Sequence, residues 1–306
     1  MKGFIGLTKR NLLIFFKDRQ SVVFSLLTSI IVLGLYLLFL KGTFVDSMNE
    51  IIGSYPTMSE LISESEIDMF VNLVLLTGIL GSAMITVSYN CLTTLVKDRE
   101  NRIDYDILAT PVKRGQIIMS YFVSATLSSI ILTGIILAVG LFVIQLQGDI
   151  YMGAAELVGA FGIVALGSVS ATAFFMILIL FFKSTGASGA FFGMLSAASG
   201  FVIGAFVPIS QFSDGVQTVC NIFPASQVTS VLRNTLMNGI LDHMETSLNG
   251  VDNGMFSDAI KNLYSFNAHL FDHEMTVGQM LVYVGVGIAV CIVVQIIVYS
   301  ATYKKK

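Results

Sequence analysis

Ten consecutive residues, Lys97-Asp98-Arg99-Glu100-Asn101-Arg102-Ile103-Asp104-Tyr105-Asp106, form the densest charge cluster in the chain. Asp98, Arg102 and Asp106 recur at i, i+4 and i+8, which predicts one helical face of alternating ion pairs. Exposed pairs of this kind give only ~0.5 kcal/mol each, so stability does not account for the cluster. A surface that docks another protein is the better use, and a solvated loop whose charges fix topology is the plain alternative. Other candidate chemistry is thin. His269 and His273 stand four apart beside Asp272 and Glu274, a spacing that suits two metal ligands on a helix. The sequence positions no further ligand, so the expectation is a solvated loop without metal. No G-x-x-x-x-G-K-[ST] segment is present to cradle a nucleotide's phosphates, and Lys183-Ser184 lacks the preceding glycines. Cys91, Cys220 and Cys291 form no C-x-x-C pair and read as packing residues. No catalytic residues are expected in this chain.

The elements that carry these residues follow from composition. Hydrophobic residues make up 55% of the 306 and charged residues 12%, against about a quarter charged in soluble domains. With a mean hydropathy of +0.81, too little polar surface remains to cover an aqueous fold, so the solvent is lipid. Six apolar stretches, at 21–40, 69–95, 116–146, 153–182, 187–207 and 277–300, are each long enough to cross ~30 Å of hydrocarbon at ~1.5 Å per residue. The expected fold is an all-α integral membrane domain over residues 1–306, with six transmembrane helices. The run from Ser21 to Leu40 is too long for a signal peptide and no small-residue cleavage site follows it, so it is expected to stay as an anchor. Trp is absent, which leaves Tyr and Phe to build any interfacial belt.

Charge sets the orientation. Fourteen of the 17 lysines and arginines fall on alternate connections that share one side, among them Lys9, Arg10, Arg99, Arg114 and Lys304 to Lys306. The positive-inside rule then places both termini in the cytoplasm. The net charge of −3 hides this segregation, and no nucleic-acid partner is expected. Residues 1–20, with Phe4, Leu7, Leu12, Phe15 and Phe16 among basic positions, predict an interfacial helix against lipid headgroups. Residues 96–115 form a cytoplasmic segment, in which Thr110-Pro111 reads as N-cap and first-turn proline of the next helix. Residues 41–68 are an acidic outer loop, and the turn near Gly148 and Asp149 is tight. The segment 208–276 is too long for a bare loop. Val228, Val231, Leu232, Leu236 and Ile240 predict a short amphipathic helix there, at or dipping into the outer leaflet and stopping at Asn238-Gly239; a second helical piece is expected around Phe256 to Tyr264.

Small and polar residues mark where helices meet. Gly78, Ser82, Thr86 and Asn90 recur every four residues along the second span, a stripe that serves either as a helix interface or as a substrate-facing wall. The fifth span carries Gly189-x-x-x-Gly193 and Gly200-x-x-x-Gly204, bridged by Ser196 and Ala197. A seam between two copies is the preferred use, and an intrachain contact the alternative. No Asp, Glu, Lys or Arg lies mid-span, so an ion-coupled carrier is not expected.

This order of parts resembles the permease subunit of type-2 ATP-binding-cassette exporters over essentially the whole chain. The sharper pieces are Lys97-Asp98-Arg99-Glu100 leading to Leu108-Ala109-Thr110-Pro111-Val112, then Phe206-Val207-Pro208-Ile209, and Ile222-Phe223-Pro224-Ala225-Ser226 with Leu232-Arg233. The resemblance implies a second copy of the chain or a related permease, and two cytoplasmic ATPase subunits holding ATP and Mg²⁺. Lys97, Asp98, Arg99, Glu100, Arg102, Asp104, Tyr105 and Asp106 would then couple to the ATPase, and the second-span stripe would line a cavity. The activity implied is ATP-driven export by alternating access across a cell membrane, in bacteria, with both termini cytoplasmic. The uncharged spans favour amphiphilic or hydrophobic cargo such as a drug, an antimicrobial peptide or a lipid-like molecule. Export of a lipid-linked glycan, a sensor or scaffold module, and a passive channel are the competing readings.

Overall fold

The structure, a computed structural model, describes residues 2–53, 62–248, 254–271 and 273–302. Part of the expected acidic loop (54–61), Asp272 and the three terminal lysines lie outside these residues. Helix α1 (Lys2–Lys17) buries Asn11 and Phe15 and packs on α6 (Arg114–Gln145). Asp18 interrupts the chain: its carboxylate accepts from the Ser21 N–H at 3.2 Å and from the Ser21 hydroxyl at 2.8 Å, which caps α2 (Arg19–Leu35). From α2 the chain passes through a single wide turn at Tyr36–Leu40 straight into α3 (Lys41–Gly53). The acidic segment therefore begins as a helix rather than as a loop.

The central element is α4 (Glu64–Glu100), 37 residues long and so ~55 Å at 1.5 Å per residue. Ser63 and Glu66 cap its start reciprocally. Nearly every residue between Glu66 and Val96 is buried, because α2, α6, α7 (Ala154–Ile179), α8 (Thr185–Val202) and α10 (Pro224–Leu248) surround it. By contrast, α12 (Val277–Thr302) is a peripheral helix whose Val282, Val286, Val290, Val293 and Ile297 form an exposed apolar stripe. Such a stripe is stable facing hydrocarbon.

Among the described residues five helices are long and apolar enough to cross a membrane: Arg19–Gly53, Glu64–Glu100, Arg114–Gln145, Ala154–Ile179 and Val277–Ala301. Helix α8, expected as a span, is not among them. Its 18 residues reach only ~27 Å, and glycine, alanine and serine dilute its hydropathy. It runs beside α4 from Glu100, which meets Thr185, to Ser82, which meets Ser199.

Contacts define two ends. At the basic end Arg10 meets Asp98, and Arg114 donates to the Ser300 carbonyl at 3.4 Å, so the N-terminal helix and the end of α12 share a side. At the opposite end His243 meets Glu66 at 3.1 Å and stacks on Tyr151 with ring centroids 4.1 Å apart. Between α8 and α12 lie α9 (Asp214–Ile222), α10, α11 (Met255–Leu263) and a hairpin of β1 (Ala268–Leu270) and β2 (His273–Met275). The hairpin pairs His269 with Glu274 and Leu270 with His273, so the two histidines do not share a helix face. Among the described residues no group of three metal-binding side chains forms.

Helix α10 departs most from the sequence reading. It continues through Asn238-Gly239 to Leu248 and buries most of its length in the bundle. Gly239 marks a close approach rather than a stop, since a Cβ there would sit 2.0 Å from the Tyr151 carbonyl oxygen. Against α4 the packing is equally tight, for a Cβ on Gly81 would lie 2.5 Å from the Thr229 hydroxyl.

Candidate coupling site

Four consecutive residues at the end of α4 each reach a different element. Successive helical residues turn by ~100°, so four of them fan around the whole axis. Lys97 pairs with Asp18 and donates to the Ser21 hydroxyl at 3.2 Å. Asp98, 4% exposed, receives both Arg10 guanidinium nitrogens at 2.6 and 2.9 Å and the Tyr121 hydroxyl at 2.5 Å. This forked geometry is the strong form of a charge-assisted bond. Arg99 donates to the carbonyls of Leu180, at 2.9 Å, and Phe182, just past the end of α7. Glu100 accepts from the Thr185 N–H at 3.0 Å and its hydroxyl at 2.6 Å, at the first residue of α8. A cation at a helix C-terminus and a carboxylate at an N-terminus both suit the helix dipole.

The electrostatics follow these partners. The hydrogen bond to Asp98 raises the Arg10 pKa. Lys97 holds the Asp18 carboxyl down to about 2, and the Thr185 donors lower that of Glu100. Burial pushes Asp104 in the other direction, upward.

The predicted face of Asp98, Arg102 and Asp106 does not form. The backbone breaks at Arg102, whose φ of 61° is left-handed, and a new short helix, α5 (Ile103–Ala109), starts at another angle. Asp98 is turned inward to Arg10, while Arg102, Tyr105 and Asp106 stay exposed, Tyr105 at 68%. The cluster therefore divides into an inner ring, 97–100, and an outward surface on α5. Thr110 closes α5, its hydroxyl donating to the Ile107 carbonyl at 2.6 Å. It is not the N-cap of the following helix, which begins three residues after Pro111, at Arg114.

The second-span stripe is packed. Gly78 faces Tyr36 and Ala205; the Ser82 and Ser199 hydroxyls lie 2.6 Å apart; Thr86 donates to the Ser82 carbonyl; and Asn90 donates to the Ser21 carbonyl at 2.9 Å and to the Ser25 hydroxyl. In this conformation the stripe seats α2 and α8 against α4. The α8 set divides in two. Gly189 and Gly193 are exposed with nothing within 4 Å of a Cβ, and Ser196 is half-buried on the same helix. Gly200 is covered by the Phe206 ring, and Gly204, at φ 67°, makes the reversal after α8.

The sequence names Arg233 beside Leu232 but gives it no structural role. Arg233 on α10 is 2% exposed and donates to the carbonyls of Ile203 at 3.0 Å, Gly204 at 2.9 Å, Tyr264 at 2.9 Å and Ser265 at 3.3 Å. It ties the end of α8 to the end of α11. The available signal was an arginine set inside the apolar run Val228, Val231, Leu232, Leu236.

Among curated proteins none is similar enough to match the chain. A family model described as ABC-2 family transporter protein matches residues 45–301, which takes in the inner ring, α5 and all later helices. The apolar helices, the basic end and this match agree: the chain belongs to the ABC-2 transporter family, as a multi-pass membrane permease subunit of an ABC transporter whose companion is an ABC ATPase.

Proposed function

We propose that this permease exports amphiphilic or hydrophobic cargo by alternating access, driven by two ATPase subunits docked at the basic end. That end faces the cytoplasm of a bacterial cell, as the clustered Lys and Arg favour, and ATP with Mg²⁺ is held by the ATPase subunits. Two copies of the permease meet along α8, where Gly189 and Gly193 leave the backbone open to close approach. The observation that carries this reading is the division of the cluster. Arg102, Tyr105 and Asp106 are exposed for a partner, and directly behind them Lys97 to Glu100 grip α1, α2, α6, α7 and α8. A push on α5 thus reaches five helices through one turn of α4, and the packed stripe of Gly78, Ser82, Thr86 and Asn90 is the wall that opens as α2 and α8 move off α4.

Replacing Tyr105 and Asp106, as Tyr105→Ala with Asp106→Arg, should release the ATPase on co-purification while the permease still inserts and remains folded. Glu100→Arg should keep the ATPase bound and uncouple its hydrolysis from export. Retention of the ATPase by the double variant would remove α5 as the docking surface.

A further inference from the structure

We propose that the groove between α2, α4 and α6 is a binding site for one acyl chain of a bilayer phospholipid from the leaflet opposite the basic end. The proposal goes beyond the transport reading and does not depend on it. The groove has a volume of about 350 Å³ and is walled by Leu33 of α2, Leu76 and Ile79 of α4, and Ile135, Val139 and Val143 of α6. Leu33, Ile135, Val139 and Val143 are also exposed at the surface, so the groove opens sideways towards hydrocarbon rather than into the bundle.

Its dimensions and its two polar features point to a chain with a head. Along α6 and the turn that follows it the lining runs from Ile135 to Gln147, which at 1.5 Å per residue is ~18 Å, close to the ~15 Å of one leaflet of a 30 Å hydrocarbon core. At the outer limit the Asn72 amide donates to the Gln147 side-chain oxygen at 3.0 Å. The Gln147 N–H₂ remains to serve the ester carbonyl or phosphate of a headgroup. At the inner limit Ser29, 6% exposed, lines the groove, and its hydroxyl has no hydrogen-bond partner among the described residues. Between these two limits the lining is apolar throughout. Hydrocarbon fills such a space because an empty groove forfeits the dispersion contacts of every lining atom.

The test uses the absence of tryptophan from the chain, which makes any introduced indole a unique reporter. Leu33→Trp reports on the groove, and Val290→Trp, on the exposed stripe of α12, reports on the general lipid-facing surface. Both full-length proteins are purified in detergent and titrated with phosphatidylcholine brominated along one acyl chain. In detergent the general surface is coated by the micelle, so only a built site collects lipid. The groove reporter should be quenched saturably at about one lipid per protomer, at a concentration about tenfold below that needed for Val290→Trp, a ratio equivalent to 1.4 kcal/mol. In the Leu33→Trp background, Val139→Phe should fill the groove and remove the saturable phase; Asn72→Leu keeps the groove open and should weaken the binding. Parallel quenching of the two reporters would overturn the site. Saturation by a brominated fatty acid but not by the phospholipid would overturn the assignment in favour of a single-chain amphiphile, and unchanged saturation in Val139→Phe would place the bound chain elsewhere.

Discussion

The inner ring at the end of α4 and the Arg233 clamp both hold charge inside a membrane protein, and they do so in opposite ways. In the ring the partners are side chains and helix ends on separate elements, and several stay partly solvated: Arg10 is 28% exposed, Lys97 39% and Asp18 30%. Arg233 is sealed in, and its partners are four main-chain carbonyls at two chain reversals. Partly exposed pairs exchange partners at small cost because water takes over each charge. A buried guanidinium and the carbonyls it serves have no such substitute, and separating them leaves all of them unsatisfied. The outer pairs of the ring can therefore be remade at small cost, whereas the clamp holds.

The largest effect is therefore expected at the clamp. Arg233→Met should cost about 3 kcal/mol or more, read as a fall in the apparent melting temperature of the purified protein. Arg233→Lys should recover only part of it, because a single ammonium cannot spread over four carbonyls as a planar guanidinium does. A methionine variant that melts with the parent would remove the contrast. Next comes the core of the ring. A double-mutant cycle of Arg10→Ala and Asp98→Ala should return a coupling of roughly 1–3 kcal/mol, and additive losses would show that the pair is incidental.

The smallest effect belongs to the more exposed ion pair of the ring. The Asp18 carboxyl sits at about 2 in the folded protein against an ordinary value of 3.8. Its contribution is thus fully present above the ordinary value and lost as the pH falls from about 4 to about 2. Discounted for solvent screening it is worth at most about 1 kcal/mol. A pH titration of melting should show this step in the parent and not in Asp18→Asn.

Much of the fold was legible because hydropathy dominates in lipid. The long apolar runs became α2, α4, α6, α7 and α12, and the charge cluster lay where the connection between α4 and α6 had to be. The errors share a cause. Periodicity through Asp98, Arg102 and Asp106 assumed an unbroken helix, and nothing in the local sequence announces a left-handed Arg102. Asn238-Gly239 looked like a stop, but the glycine answers the Tyr151 backbone, a contact nearly ninety positions away in the chain. Likewise, Tyr89 sits among Phe175, Phe191 and Phe192 from α7 and α8, an aromatic cluster that no single helix shows in its sequence. Arg233 was visible as a charge in an apolar run; its four carbonyl partners were not, because two chain reversals bring them together.

The proposal that the inner ring carries ATPase motion to the helices is tested most directly by spin labels at Lys9 on α1 and Ala190 on α8, both exposed, in the reconstituted complex with its ATPase. Their separation is measured without nucleotide and in the vanadate-trapped state. The parent should show a change in that distance, and Asp98→Asn should keep the ATPase bound and hydrolysing while the change disappears. An unaltered distance change in Asp98→Asn would contradict transmission through the ring.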